Sequence, residues 1–299
     1  MVTEGARRNI PRNFQARLKG STRTSCVAGR TLHLSLTGPR DRGIWRTGMK
    51  IVVLGGTGLI GQKLTTLLRE RGHEVVAAAP CTGVNTLTRE GLAEVMDGTQ
   101  VVVDVVNAPP GSAEDVQAFF ETSSRNVLAA EAAAGVGHHI LLSIVGSDRN
   151  PENAYLCAKW AQEQRVAESE IPFTIVRSTQ FHEFVAGIAQ ASAEGDEVRL
   201  SSALVQTIAA ADVATALADV AVTQPANGVL EIAGPEQVPL DELARRLFAA
   251  TGDARNVIPD VHARYFGCLL DDQSLTPGSG AHLGTTCFDT WLNQSHARA

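Results

Sequence analysis

The sequence predicts an α/β fold, a doubly wound parallel sheet with a small C-terminal lobe, on three observations. From Lys50 onward, short apolar runs alternate with segments of helical period, the pattern of βαβ units rather than of a sandwich or a bundle. Alanine, valine and leucine dominate while aromatic residues make up only 5% of the chain, which suits helices packed on buried parallel strands. The first apolar run passes into Gly55-Gly56-Thr57-Gly58-Leu59-Ile60-Gly61 and then directly into a helical segment. A chain of 299 residues with 44% hydrophobic and 19% charged residues has ample core for such a domain.

Each element follows in order. Ile51-Val52-Val53-Leu54 is the first expected strand. Gly58 to Arg71 reads as a helix with Leu59, Ile60, Leu64, Leu67 and Leu68 on one face, closed by Gly72. A second strand is expected over His73 to Ala79, a short helix over Arg89 to Met96, a third strand over Val101 to Val106 and a long helix over Ala113 to Ala134. Residues 139–144 form the next strand, followed by a helix from about Glu152 to Ser169 and the strand Phe173 to Arg177. Beyond Thr179 the pattern mixes helices near Phe184 to Ala191, Ala211 to Val222 and Leu240 to Ala250 with short strands near Glu197 to Leu200 and Val229 to Ala233. After Thr251 frequent Gly, Asp and Pro predict loops with short helices around a cleft.

Charge divides the chain. Residues 1–48 hold ten Lys or Arg against Glu4 and Asp41, lack a sustained period, and read as an unstructured extension. Met49-Lys50 leads straight into the first strand, so Met49 is the expected biological start, with a transit peptide or a basic arm as the other readings. The expected organisation is an extension over 1–48, a nucleotide-binding core over 49–180, and a substrate-binding lobe and tail over 181–299 integrated with it. The remainder is acidic, which gives no nucleic-acid footprint. Five scattered cysteines form neither a zinc site nor a disulfide framework. No apolar run reaches the roughly 18–20 residues of a membrane span. A cytoplasmic protein without metal, acting on a small molecule as a monomer or homodimer, is the expectation.

A strand, then Gly55-x-x-Gly58-x-x-Gly61, then a helix is the geometry in which backbone N–H groups and a helix N-terminus meet a pyrophosphate. This makes the sheet Rossmann-type and the expected ligand a nicotinamide dinucleotide, NAD or NADP, held by Gly55, Thr57, Gly58, Leu59, Ile60 and Gly61. A P-loop needs Lys directly after the last glycine, where Gln62 stands. The second strand ends in Ala77-Ala78-Ala79-Pro80-Cys81, which offers neither the acid that suits NAD nor the base that suits NADP. With no carboxylate to repel a phosphate, and Thr82, Thr86 or Arg89 within reach, the reading leans to NADP.

Tyr155 and Lys159 stand four residues apart in an expected helix, so both project from one face. Ser143 ends the preceding strand. Hydride transfer to or from a carbonyl needs a proton partner, and a phenol with pKa near 10 is a poor base unless a cation stabilises its phenolate. Lys159 is the expected cation and also a ribose ligand, and Ser143 the expected holder of the substrate oxygen.

These motifs in this order resemble the short-chain dehydrogenase/reductase superfamily. Leu142-Ser143-Ile144-Val145-Gly146, Phe173-Thr174-Ile175-Val176-Arg177 with Phe181, and Asn227-Gly228 through Ala233-Gly234-Pro235-Glu236 resemble its atypical, NmrA-like branch. The resemblance, over residues 50 to about 250, implies that Asn107 flanks the cofactor and that Phe181, His182 and Phe184 line the substrate pocket. It also gives Asn126 as the family's helix asparagine or a plain helix-surface residue, and Asp212 as a helix-opening acid. His182, lacking a carboxylate partner at recognisable spacing, reads as structural before catalytic. Three functions follow: an NAD(P)-dependent oxidoreductase with Tyr155 as acid/base, a non-catalytic NAD(P)-sensing regulator, or a sugar-nucleotide epimerase or dehydratase. The last asks for a larger C-terminal lobe than the region after Thr179 suggests.

Overall fold

The computed structural model describes residues 48–296; the extension expected over residues 1–48 lies outside them save for Gly48. β1 (Lys50–Leu54), α1 (Leu59–Glu70) and β2 (Glu74–Ala78) form the first unit, the two strands parallel from Lys50↔Glu74 to Leu54↔Ala78. Ile51, Val52, Val53 and Leu54 are all buried, as expected of a strand covered on both faces. α1 buries Ile60, Leu64 and Leu68, and Gly72, at φ +84°, lets the chain leave the helix. The helix expected from Arg89 starts later, because Arg89 and Gly91 both adopt positive φ, and α2 covers only Leu92–Met96.

β3 (Val101–Asp104) stops two residues short of expectation, where Asp104 Oδ1 accepts the Val106 N–H at 2.9 Å and bends the chain off the sheet. α3 spans Ala113–Ala134 as expected, opened by the Ser112 and Asp115 capping box and closed by Gly135 at φ +71°. β4 (His138–Ile144), α4 (Ala154–Ala167) and β5 (Phe173–Ser178) complete the nucleotide-binding half.

The C-terminal half contains α5 (Val185–Ala191), β6 (Ala193–Glu194), β7 (Glu197–Leu200), β8 (Leu204–Val205), α6 (Ala210–Ala221), β9 (Gly228–Ala233), β10 (Val238–Pro239), α7 (Leu240–Thr251), β11 (Asn256–Pro259), β12 (His282–Leu283) and α8 (Phe288–His296). Two of its strands join the main sheet, whose order is β12-β9-β5-β4-β3-β1-β2 and whose pairings are all parallel. The tail is thus more regular than its sequence predicts. β12 closes one sheet edge through only His282↔Ile232 and Leu283↔Ala233, too short a strand to show a period.

The sheet order reverses at β1, which has β2 on one side and β3 on the other. In open parallel sheets the ligand crevice lies at such a reversal, outside the carboxyl ends of the strands. α1 and α6 share one apolar cluster with β1 and β3, and α5, α7 and α8 close a separate one in the C-terminal lobe. Among the described residues no helix is long and apolar enough to cross a membrane.

Candidate dinucleotide and substrate site

The glycine loop connects β1 to α1 at the sheet reversal. Gly55 sits at φ +78°, and its N–H and that of Gly56 both donate to Ala78 O, at 2.9 and 3.2 Å. A Cβ on Gly56 would come within 2.6 Å of Ala77 Cα, and one on Gly61 would strike the Gly55 carbonyl. Gly58 differs: a Cβ there would meet only Gly55 O, at 3.3 Å, so its free side is open space. Gly55, Gly56 and Gly61 pack the loop, while Gly58 keeps room in front of the helix. Gly56 was missed as a site residue because its constraint comes from β2, not from the motif. Gln62, the residue that separates this loop from a P-loop, donates its Nε2 to Thr57 O at 2.7 Å. α1 has no acidic side chain in its first turn and no side-chain cap, so its N-terminus stays available to an anion. This open cradle fits a pyrophosphate, which the backbone of Thr57, Leu59, Ile60 and Gly61 would hold; the N–H groups of Gly55 and Gly58 are already given to Ala78 O and, at 3.0 Å, to Gly55 O.

Past β2 the expected phosphate contacts are largely occupied. Thr82 Oγ1 lies 2.9 Å from the Ala79 N–H it caps, and Thr86 Oγ1 accepts from Ser123 at 2.9 Å. Arg89 is exposed and uses Nε on Asn126 Oδ1 at 2.9 Å. Asn126 is buried, not a helix-surface residue: its Nδ2 donates to Thr86 O and Leu87 O and anchors this loop on α3.

Tyr155, at the start of α4, reaches across the crevice and donates its hydroxyl to Asn107 Oδ1 at 2.6 Å. The structure therefore brings Tyr155 and Asn107 together beyond the carboxyl end of β3. Burial pushes the phenol up to about 12, so the group is protonated at neutral pH. Phe120 packs its ring against Tyr155 edge-on, centroids 5.9 Å apart.

Lys159 and Ser143 do not stand where the sequence places them. Lys159 is buried, donates to Gln162 Oε1, and lies 4.7 Å over the centre of the Phe120 ring. Gln162 in turn reaches Asp104 at 3.3 Å. Burial draws Lys159 down to about 8, with Asp104 and Glu163 pulling the other way. No such cation lowers the Tyr155 phenol, which corrects the expectation of a phenolate held by Lys159. Ser143 is likewise buried, and its hydroxyl donates to Glu163. Glu163 also accepts from Ser147 at 2.9 Å and from Arg177, whose Nη2 comes to 2.7 Å; Arg177 Nη1 pairs with Asp148 at 2.7 Å. Ser143 thus belongs to a buried ionic network joining β4, α4 and β5. The side chains of this network lie far apart in sequence and carry no local motif.

His182 is also fully engaged. Its Nδ1 meets Thr207 Oγ1 at 2.9 Å, its Nε2 meets Thr286 O at 3.0 Å, and its ring packs on Phe288 and Trp291. Burial lowers its pKa, so it is the structural histidine the sequence suggests and not a pocket residue. Phe181 and Phe184 pack with their rings tilted by 30° and centroids 5.2 Å apart, Phe184 being half exposed. Asp212, in the first turn of α6, accepts the N–H groups of Thr285 and Thr286 at 2.9 and 2.8 Å and so fixes the tail.

The chain is 28% identical over 222 residues to an NAD(P)H azoreductase of Xenophilus azovorans, covering 68% of this chain and 74% of that protein. It spans about half the length, 47%, of another curated relative, at 22% identity. Among solved structures, MoeE5 in complex with UDP-glucose and NAD superposes with a TM-score of 0.63 at 18% identity, covering 84% of this chain and 99% of that one. An NADPH-dependent quinone oxidoreductase of Escherichia coli gives 0.57 at 18% identity, with 82% and 99% covered. A family model described as NAD(P)H-binding matches residues 55–224, more than half of the chain, from the glycine loop through α6, and the chain belongs to that NAD(P)H-binding family.

Proposed function

We propose that the protein is an NAD(P)H-dependent reductase of a small carbonyl acceptor, with Tyr155 as the proton donor. The observation that carries this reading is the Tyr155 hydroxyl, protonated and hydrogen-bonded to Asn107 beside the sheet reversal. When bound, a reduced nicotinamide supplies a hydrogen with two electrons to the acceptor carbon. The oxygen then needs a proton, and a phenol with its pKa near 12 is a donor rather than a base, which favours reduction over alcohol oxidation. A substrate carbonyl would take the place of Asn107 Oδ1 as the acceptor of that hydrogen bond. The names of the azoreductase and the quinone oxidoreductase support reduction as the direction. The absence of a carboxylate after β2 and the exposed Arg89 support NADPH as the preferred cofactor.

A second reading is favoured by a specific observation. Ser143 is committed to Glu163 and Lys159 to Gln162, which leaves Tyr155 alone of the three at the crevice and suits a dinucleotide sensor. Tyr155→Phe separates the two. For a reductase, acceptor-dependent NADPH oxidation falls by about 10²–10⁴-fold while NADPH affinity, read by fluorescence titration, stays within about threefold. Unchanged turnover in the variant removes Tyr155 from the mechanism. NADPH binding without oxidation in either protein favours the sensor.

A further inference from the structure

The chain has only two tyrosines, and the fold brings both to one place. Tyr265 and Tyr155 both pack against the C-terminal apolar cluster, close enough for the two hydroxyls to influence one another. Tyr265 opens a tight hairpin, with its N–H to Cys268 O at 2.8 Å and Cys268 N–H to Tyr265 O at 3.1 Å. The two central residues, Phe266 at φ +44° and Gly267 at φ +96°, are left-handed. A bulky side chain holds such a φ only where its surroundings over-determine it, and such positions cluster at ligand clamps. Here Arg264 fixes the turn, donating to Gly267 O at 2.6 Å and pairing with Glu152, just before α4, at 3.0 Å. Between this hairpin and α5 lies an open depression of about 220 Å³, with Ile188, Ala191, Tyr265 and Phe266 in its walls.

Gln180, two residues beyond β5 and so at the carboxyl edge of the sheet, hydrogen-bonds the Tyr265 hydroxyl through its side-chain amide. Its backbone carbonyl is used, by Ile208 N–H at 2.9 Å. Its side chain is 9% exposed, yet Oε1 has no hydrogen-bond partner among the described residues. A buried acceptor left unpaired is costly and calls for a donor from water or a ligand.

We propose that Gln180 Oε1 and the Tyr265 hydroxyl form a substrate-recognition pair that binds a hydroxyl group next to the carbonyl to be reduced. Gln180 accepts the substrate O–H, and Tyr265 offers its own hydroxyl to the same oxygen. The preferred acceptors are then α-hydroxy carbonyl compounds. The proposal rests on the reductase reading for its carbonyl but on Gln180 and Tyr265 for its selectivity.

The test uses two compounds of equal shape, 2-hydroxyacetophenone and propiophenone, which differ by a hydroxyl in place of a methyl group. Calorimetric titration into the full protein saturated with NADP⁺ reads binding without turnover. The hydroxylated ketone is expected to bind at least tenfold more tightly, and Gln180→Met and Tyr265→Phe each to shrink that ratio toward one. Thermal melts check that both variants fold. Equal affinities in the unaltered protein, or a ratio untouched by both substitutions, overturn the recognition pair. NADPH oxidation with either ketone is recorded separately. Its absence, with the binding ratio intact, counts against the reductase reading and leaves the pair standing.

Discussion

Lys159 is 3% exposed, and among the described residues no carboxylate lies within ion-pair distance of it. Its Nζ donates to Gln162 and rests over Phe120, which satisfies the ammonium only in part. A buried charge so placed costs more in lost hydration than its neighbours return. Its folded pKa, about 8 against 10.5 for the free side chain, has the matching sign. Below pH 8 both folded and unfolded chains carry the proton and the cost is fully present. Between about 8 and 10.5 the unfolded chain binds more protons, so the cost fades as pH rises. Lys159→Met is therefore expected to stabilise the protein at pH 7 by about 1–3 kcal/mol, with the gain shrinking toward pH 10.5, in urea titrations. The same variant should bind NADPH at least tenfold more weakly if the lysine swings to the cofactor ribose. A less stable variant at pH 7 refutes the first statement, and unchanged affinity the second.

At the scale of the element, α1 is held against the glycine loop by two glycines with different tasks. A Cβ at Gly61 would meet the Gly55 carbonyl and Gly56 Cα, backbone atoms that yield only if the whole helix moves. At Gly58 the one neighbour is Gly55 O at 3.3 Å, and φ is an ordinary −80°. Gly61→Ala is thus expected to lower both the melting temperature of the apoprotein and the NADPH affinity. Gly58→Ala should leave the melting temperature nearly unchanged and still weaken NADPH binding at least tenfold, because its methyl fills the space kept for the pyrophosphate. Equal melting losses in the two variants would contradict the division of roles. Long elements with explicit ends were legible in the sequence: α3 from its capping box and Gly135, α1 from its leucine face and Gly72. β12, with two residues, was not, nor was the early end of β3, which turns on the Asp104 side chain. The four-residue spacing of Tyr155 and Lys159 was legible, but not the direction of a lysine side chain long enough to turn to Gln162. The Glu163 and Arg177 pair was invisible because residues 14 apart, one on α4 and one on β5, meet only once the helix packs on the strand.

At the scale of the whole molecule, the sheet is a cooperative unit, and a buried group in its middle reports on global unfolding. His138 opens β4, between β3 and β5, and its Nε2 meets Thr174 Oγ1 of β5 at 2.9 Å. Burial first, and then the neighbouring His139, push its pKa down to about 4. A histidine lowered from 6.5 to about 4 on folding is neutral in both states above pH 7, where its full contribution is present. As pH falls from about 6.5 toward 4 the unfolded chain takes up a proton that the folded chain refuses, so stability is lost across that window. Integrated from pH 7.5 to 4.5, the loss is roughly 2–3 kcal/mol. His138→Gln keeps a side chain able to hydrogen-bond Thr174 but cannot titrate. Urea titrations of both proteins at pH 7.5 and 4.5 should show the variant losing less stability by about that amount, since the distant carboxylates are common to both and cancel in the difference. Parallel pH dependences in the two proteins would mean that the folded sheet admits a proton at His138, and that the acid sensitivity of the molecule has another source.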